Sequence, residues 1–137
     1  MNDKISAPQG IARSLAELSA PLTGRRRSTQ DLKRQAEKAR TQRDWALDML
    51  YRRQICEIEP AKPGVWIQYG HALKEAGFHG RAAEAYGKAR ALDGDNAEAA
   101  LQLGHLAKIR GDFDVAVREL ETALALGHPA ADQIALE

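Results

Sequence analysis

The segment "WIQYGHALKEAG", which begins at Trp66, is nearly rewritten as "ALQLGHLAKIRG" from Ala100. Gly70 falls on Gly104, His71 on His105 and Gly77 on Gly111, each time 34 residues apart. A fixed period of this length marks a repeat architecture, in which each unit buries its apolar face on its neighbours. Within each copy the spacing is helical. Trp66, Tyr69, Gly70 and Leu73 follow i, i+3, i+4, i+7, one stripe of a helix. After the turn "AGFHG" come Ala82, Tyr86 and Ala89. The next copy places Ala100, Leu103, Gly104 and Ala107 on its first helix and Ala116, Leu120 and Ala123 on its second. Glycine and alanine at matched positions let the paired helices approach closely, with Tyr86 and Leu120 supplying bulk one turn on. Phe78 and Phe113 are expected to fill the turn between the helices of their copies.

Stepping back another 34 residues finds a weaker copy. Leu32, Ala36, Ala39 and Trp45 stand in register with Trp66, Gly70, Leu73 and the later turn position. Asp48 occupies the site of Ala82 and Ala116, so this second helix is expected to shift locally and pack through Ala46, Leu47, Leu50 and Ile55. Pro60 ends that helix, Pro63 suits the first turn of the next, and Asp95 with Glu98 reads as a capping box. Residues 1–28, rich in Pro, Gly and Ser, read as a flexible leader, with Ile11, Leu15 and Leu18 spaced for one short helix.

Helix pairs at this period, with these residues in phase, resemble the tetratricopeptide repeat family. The resemblance implies an all-α fold, a right-handed α-solenoid of antiparallel helix pairs. It covers about three repeats, 29–62, 63–96 and 97–130, with the first degenerate and a further or capping helix starting in 131–137. The domain is thus expected over 29–137. The wording of the two better copies also resembles the repeats that precede glycosyltransferase domains in many bacterial proteins. Because "ADQIALE" begins a helix and is a poor polar cap for a solenoid, a longer parent protein is expected.

Composition narrows the function classes. The formal net charge of +1 gives no global electrostatic case for nucleic acid or an anionic membrane. Residues 1–60 carry 12 Lys and Arg against 8 Asp and Glu, but the one basic cluster, "GRRRS", is too short for a binding tail. No apolar run is long enough to span a bilayer, and no secretory signal is expected. Cys56, the single cysteine, points to a reduced thiol and a cytoplasmic setting. The four histidines form no HxxxH or HExxH pair, and the Gly-Asp pairs are turns. Neither catalytic residues, a metal site nor a cofactor is expected, so the chain reads as a non-enzyme.

What remains is surface. The resemblance implies that the first helix of each pair lines a concave face that holds a peptide or partner helix. The stripe opposite the core stripe contains Lys33, Glu37 and Arg40 in the first copy, Ile67, His71 and Lys74 in the second, and Leu101, His105 and Lys108 in the third. Heat-shock co-chaperones of this fold grip a C-terminal carboxylate with paired Lys, Asn and Arg. Isoleucine, leucine and histidine at these places, with no asparagine, point away from such a clamp. They suggest a groove for apolar or aromatic side chains, with His71 and His105 beside Ile67 and Leu101 as its floor and a basic rail along one edge. The expected function is a protein–protein interaction module. The alternative is a recruiting segment of a larger bacterial enzyme such as a glycosyltransferase. The partner is a protein, a peptide or a downstream domain of the same parent, and the apolar C-terminal edge suggests self-association.

Overall fold

Three short turns, built alike and 34 residues apart, set the path of the chain. Asp44 N–H donates to Ala39 O at 2.8 Å, Phe78 N–H to Leu73 O at 2.8 Å and Asp112 N–H to Ala107 O at 2.9 Å. Each bond spans five residues and closes a helix C-terminus, and the residue just before each donor lies in the left-handed region. That residue is Gly77 at φ 92° and Gly111 at φ 88°, where the absent Cβ removes the steric penalty. In the first copy it is Arg43 at φ 58°, a side chain held where few L-residues go.

The computed structural model describes residues 27–130. The expected leader with its short helix, and the expected start of a further helix in 131–137, lie outside the described residues. Six helices, and no strands, occur among the described residues. They are α1 (Thr29–Thr41), α2 (Trp45–Ile58), α3 (Pro63–Glu75), α4 (His79–Leu92), α5 (Ala97–Arg110) and α6 (Phe113–Ala125). They pair as α1 with α2, α3 with α4, and α5 with α6, and α4 also packs on α5. The fold is therefore an all-α helical repeat. The chain divides between Glu59 and Pro60 into two compact units, the first holding α1 and α2, the second α3 to α6.

Side-chain caps start four of the helices. Ser28 Oγ accepts from Asp31 N–H at 3.1 Å, Asp44 Oδ1 from Leu47 N–H at 3.1 Å and Asp112 Oδ1 from Val115 N–H at 3.5 Å. At α5 the cap is Asn96, whose Oδ1 accepts from Ala99 N–H at 2.9 Å. This corrects the capping box expected of Asp95 and Glu98, because Asn96 takes the cap and Glu98 accepts from Gln102 and His128 instead. Pro63 does open α3, where its missing N–H costs nothing.

In the second unit each repeat is held by a glycine. A Cβ on Gly70 would lie 2.6 Å from Tyr86 Cε1, and one on Gly104 2.8 Å from Leu120 Cγ. These glycines let the ring and the leucine lie directly on the backbone of the facing helix. The aromatic turn residues differ from expectation: Phe113 is 63% exposed and Phe78 is exposed too, each standing at the start of a helix.

The first unit solves the same packing problem with charge. Ala36, in the register of Gly70, carries a Cβ and is fully buried. Arg52 replaces Tyr86 and Asp48 replaces Ala82. Asp48 is 1% exposed and accepts from Arg52 Nε at 3.1 Å, while Arg52 Nη2 donates to Glu37 Oε2 at 2.7 Å. The expected local shift away from Asp48 is thus corrected. The aspartate enters the core because Arg52, one turn later, neutralises it. Leu32, Ala39, Tyr51, Ile55 and Cys56 complete this core. Burial pushes the Cys56 thiol up to about 12, so it remains a protonated, inert packing group.

Candidate functional site

The first helices of the second unit's repeats, α3 and α5, carry a chain of polar side chains that ends in the turn after α6. His71 Nδ1 lies 2.6 Å from the Tyr86 hydroxyl, and the imidazole meets the phenol ring edge-on at 5.5 Å between centroids. His71 Nε2 faces Glu98 Oε2 at 3.6 Å. A carboxylate on that side favours a proton on Nε2, which leaves Nδ1 to accept from the Tyr86 O–H. Gln102 Nε2, one turn along α5, donates to Glu98 Oε2 at 2.8 Å, and its Oε1 accepts from Lys74 Nζ at 2.8 Å. From the turn after α6, His128 Nε2 donates to Glu98 Oε1 at 2.7 Å. One carboxylate thereby ties α3, α5 and the C-terminal turn together.

The electrostatics follow from burial and partners. Partial burial alone would raise the Glu98 carboxyl. The hydrogen bonds from His128 and Gln102, helped by the positive charge that His71 and His128 carry when protonated, outweigh it and hold the group below the ordinary carboxylate range. His105 is pulled the other way. Its burial, then the ammonium groups of Lys74 and Lys108, depress the imidazole below its usual value, against a smaller pull from Glu98. Burial keeps the Tyr86 phenol protonated, well above the usual tyrosine value.

The residues expected to line a groove divide into three groups. Lys33, Glu37 and Arg40 are exposed on α1, and Glu37 is engaged by Arg52. His71, Lys74 and His105 are half-buried and Lys108 is exposed, in one electrostatic neighbourhood. Ile67 and Leu101 are 6% and 4% exposed and belong to the core. Their expected place on an open groove floor is corrected, because these helices bury more than one face. On α5 alone Ala99, Ala100, Leu101, Gln102, Gly104, Leu106 and Ala107 are buried, with α4 on one side and α6 on the other. His71 is also bonded into its helix pair through Tyr86. Glu98, Gln102 and Tyr86 were missed by sequence reasoning, although Glu98 and Gln102 show the i, i+4 spacing of a helical pair. His128 carries no local signal, since it reaches back 30 residues.

A separate cleft of about 230 Å³ opens between α3 and α4, lined by Trp66, Tyr69, Leu73, Arg81, Glu84, Ala85 and Lys88. The Lys88 ammonium stands 5.6 Å from the Trp66 ring centroid, and Trp66 Nε1 donates to Pro60 O at 2.8 Å. None of the expected groove residues lines this cleft. Among the described residues no group of His, Cys, Asp and Glu side chains is arranged to hold a metal ion, and no helix is long and apolar enough to cross a membrane.

No family model matches the chain, and no curated protein matches it. Solved structures do. The Sgt2 tetratricopeptide repeat domain from Aspergillus fumigatus superposes with a TM-score of 0.70 at 22% identity, over 77% of this chain and 72% of that one. The TPR2B domain of yeast Sti1, solved as a complex with pHsp70, gives 0.71 at 14% identity, over 79% and 90%. PcrH, solved with the chaperone-binding region of PopD, gives 0.68 at 16% identity, over 78% and 82%. Likeness at this level of identity speaks for architecture alone, and on it the chain has the tetratricopeptide repeat fold.

Proposed function

We propose that the chain is a protein-interaction module that holds a partner segment against the α3/α5 face. The observation that carries this reading is the chain of bonds from Tyr86 through His71, Glu98 and His128. It holds partly exposed polar side chains in set orientations on adjacent helices, which lowers the ordering cost of binding. His71, Lys74, His105 and Lys108 would make the contacts, with Ile67 and Leu101 stiffening the helices from within. Lys33, Glu37 and Arg40 offer the same repeat positions on α1. Two similar structures, those of Sti1 and PcrH, were solved with partner polypeptides, which supports a polypeptide ligand here. A partner protein, a peptide or a downstream domain of one parent chain would each fit. The alternative of a recruiting segment for a glycosyltransferase draws no support from these neighbours.

The test is capture of a partner on the immobilised chain, followed by titration of that partner against wild type and a His105→Ala/Lys108→Glu variant. At least a tenfold loss of affinity with unchanged circular dichroism is expected. Undiminished affinity would move the docking face elsewhere on the molecule.

A second reading rests on a different observation. Phe113, Val117 and Leu124 are exposed along one side of α6, at i, i+4 and i+11, and Val117 is 54% exposed. Apolar side chains in this arrangement favour self-association through the C-terminal edge.

A further inference from the structure

The His128 imidazole fastens the turn that follows α6 to α5. Its backbone closes the helix, with His128 N–H donating to Ala123 O at 3.0 Å past Gly127 at φ 83°. The His128 side chain is 15% exposed and both ring nitrogens are engaged. Nδ1 accepts from the Ala130 N–H at 3.0 Å, and Nε2 stands 2.7 Å from Glu98 Oε1. A backbone N–H can only donate, so Nδ1 carries no proton and Nε2 does. The ring is therefore the neutral Nε2–H tautomer, assigned by the backbone on one side and the carboxylate on the other.

The two bonds respond to a proton in opposite ways. An imidazolium has N–H at both positions. Its Nε2–H strengthens toward a charged carboxylate, whereas its Nδ1–H would point at the Ala130 N–H, donor against donor. The ring then stays on Glu98 and the backbone gives way. Ala130 packs on the core cluster of Ala100, Leu101, Leu120 and Ala123, so its release opens the end of that cluster. The charged groups that act on this ring are Glu98, bonded to it, and His105, both on α5; Glu98 is in turn bonded by Gln102 and faced by His71, and Lys74 donates to Gln102. One carboxylate thus serves His128 and His71 together, with a lysine behind them, and Glu98 decides whether the imidazolium keeps a partner.

We propose that Glu98, His128 and Ala130 form a proton-operated latch: protonation of His128 turns Nδ1 into a donor, expels the Ala130 N–H and frees Ala130 from the end of the core cluster while the ring stays paired with Glu98. The latch deepens the proposed interaction role, because Glu98 lies on the same face as His71 and His105 and any partner held there meets a turn that loosens in acid. Its own existence needs no partner and can be tested on the chain alone.

The experiment is a proton NMR titration of the 137-residue chain, reading the His128 ring and the Ala130 amide together. The Ala130 amide shift is expected to move with the same midpoint as the His128 ring. Its hydrogen-exchange protection, corrected for intrinsic rates, should fall at least tenfold across that midpoint. His128→Asn keeps an acceptor oxygen near Nδ1 but cannot take up the proton, so its Ala130 amide should stay protected throughout. An Ala130 amide that stays protected while the wild-type ring titrates overturns the latch. So does an Ala130 transition that persists unchanged in His128→Asn. Either result leaves the interaction role untouched, since that role is read from partner affinity.

Discussion

His71 Nδ1 and the Tyr86 hydroxyl, 2.6 Å apart, are the second-repeat version of a contact made in the first repeat by other chemistry. Glu37 stands in the register of His71 and Arg52 in that of Tyr86, and they meet at 2.7 Å. In the third repeat the same register holds His105 and Leu120, an imidazole with no hydroxyl opposite it. In the first two repeats one position on the first helix therefore faces one position on the second, as an ion pair and then as a hydrogen bond, and in the third repeat the sequence puts leucine at the second position.

This equivalence separates the two histidines. Replacing His71 by Ala strips the partner from a fully buried tyrosine hydroxyl, at a cost of about 1–3 kcal/mol. His105→Ala leaves no such group behind and should cost less. Urea denaturation of both variants checks the order. Equal losses would mean that the Tyr86 hydroxyl finds another partner.

The glycines under those contacts should also differ. On Gly70 a new Cβ meets three atoms of the Tyr86 ring within 2.9 Å, and a buried ring has no room to turn aside. Gly70→Ala should destabilise by about 1–3 kcal/mol, the usual range for overpacking. On Gly104 the atoms closer than 3.0 Å belong to the flexible Leu120 side chain, so Gly104→Ala should be the milder change. Thermal melts of the pair give the comparison.

Arg43 offers a gain. It is exposed, and it sits at φ 58° where the other repeats use glycine. Arg43→Gly removes the strain at this turn and should stabilise the protein by about 0.5–1 kcal/mol, after the added freedom of the unfolded chain is counted. A raised midpoint in guanidinium with an unchanged slope is the expected reading.

The repeat was legible because its strongest constraints are local. A glycine under a bulky side chain and a glycine in a left-handed turn recur in the sequence as letters at a fixed period. The first copy was harder to read because it keeps the geometry and changes the chemistry. With Ala36 in place of glycine, a tyrosine opposite would collide, and Arg52 with Asp48 fills the space instead. The Asp48–Arg52 spacing of four residues is visible in the sequence, but against the alanines at its register Asp48 reads as an obstacle. On the site, Ile67 and Leu101 were misplaced by treating each helix as having one buried stripe. A helix packed between two others buries most of its circumference, and α5 shows it. The pairing of Glu98 with His128 was beyond local reading, because a contact across 30 residues exists only once the helices have stacked.

Asp48 and Glu98 respond to acid in opposite ways. Burial raises the folded-state pKa of Asp48 above its ordinary 3.8 and outweighs the lowering by Arg52 and Arg40. Between the two values the folded state binds more protons than the unfolded one, so this group's contribution to stability grows as pH falls. Glu98 is lowered from its ordinary 4.5, because hydrogen bonds from His128 and Gln102 overcome burial. Its contribution is fully present above 4.5 and is lost as pH falls through the folded value. Chemical denaturation of wild type, Asp48→Asn and Glu98→Gln from pH 7 to pH 3.5 resolves the signs. The stability of wild type relative to Asp48→Asn should rise toward acid, and relative to Glu98→Gln it should fall. Two differences of the same slope would mean that one of these carboxyls is solvated differently from the packing described here.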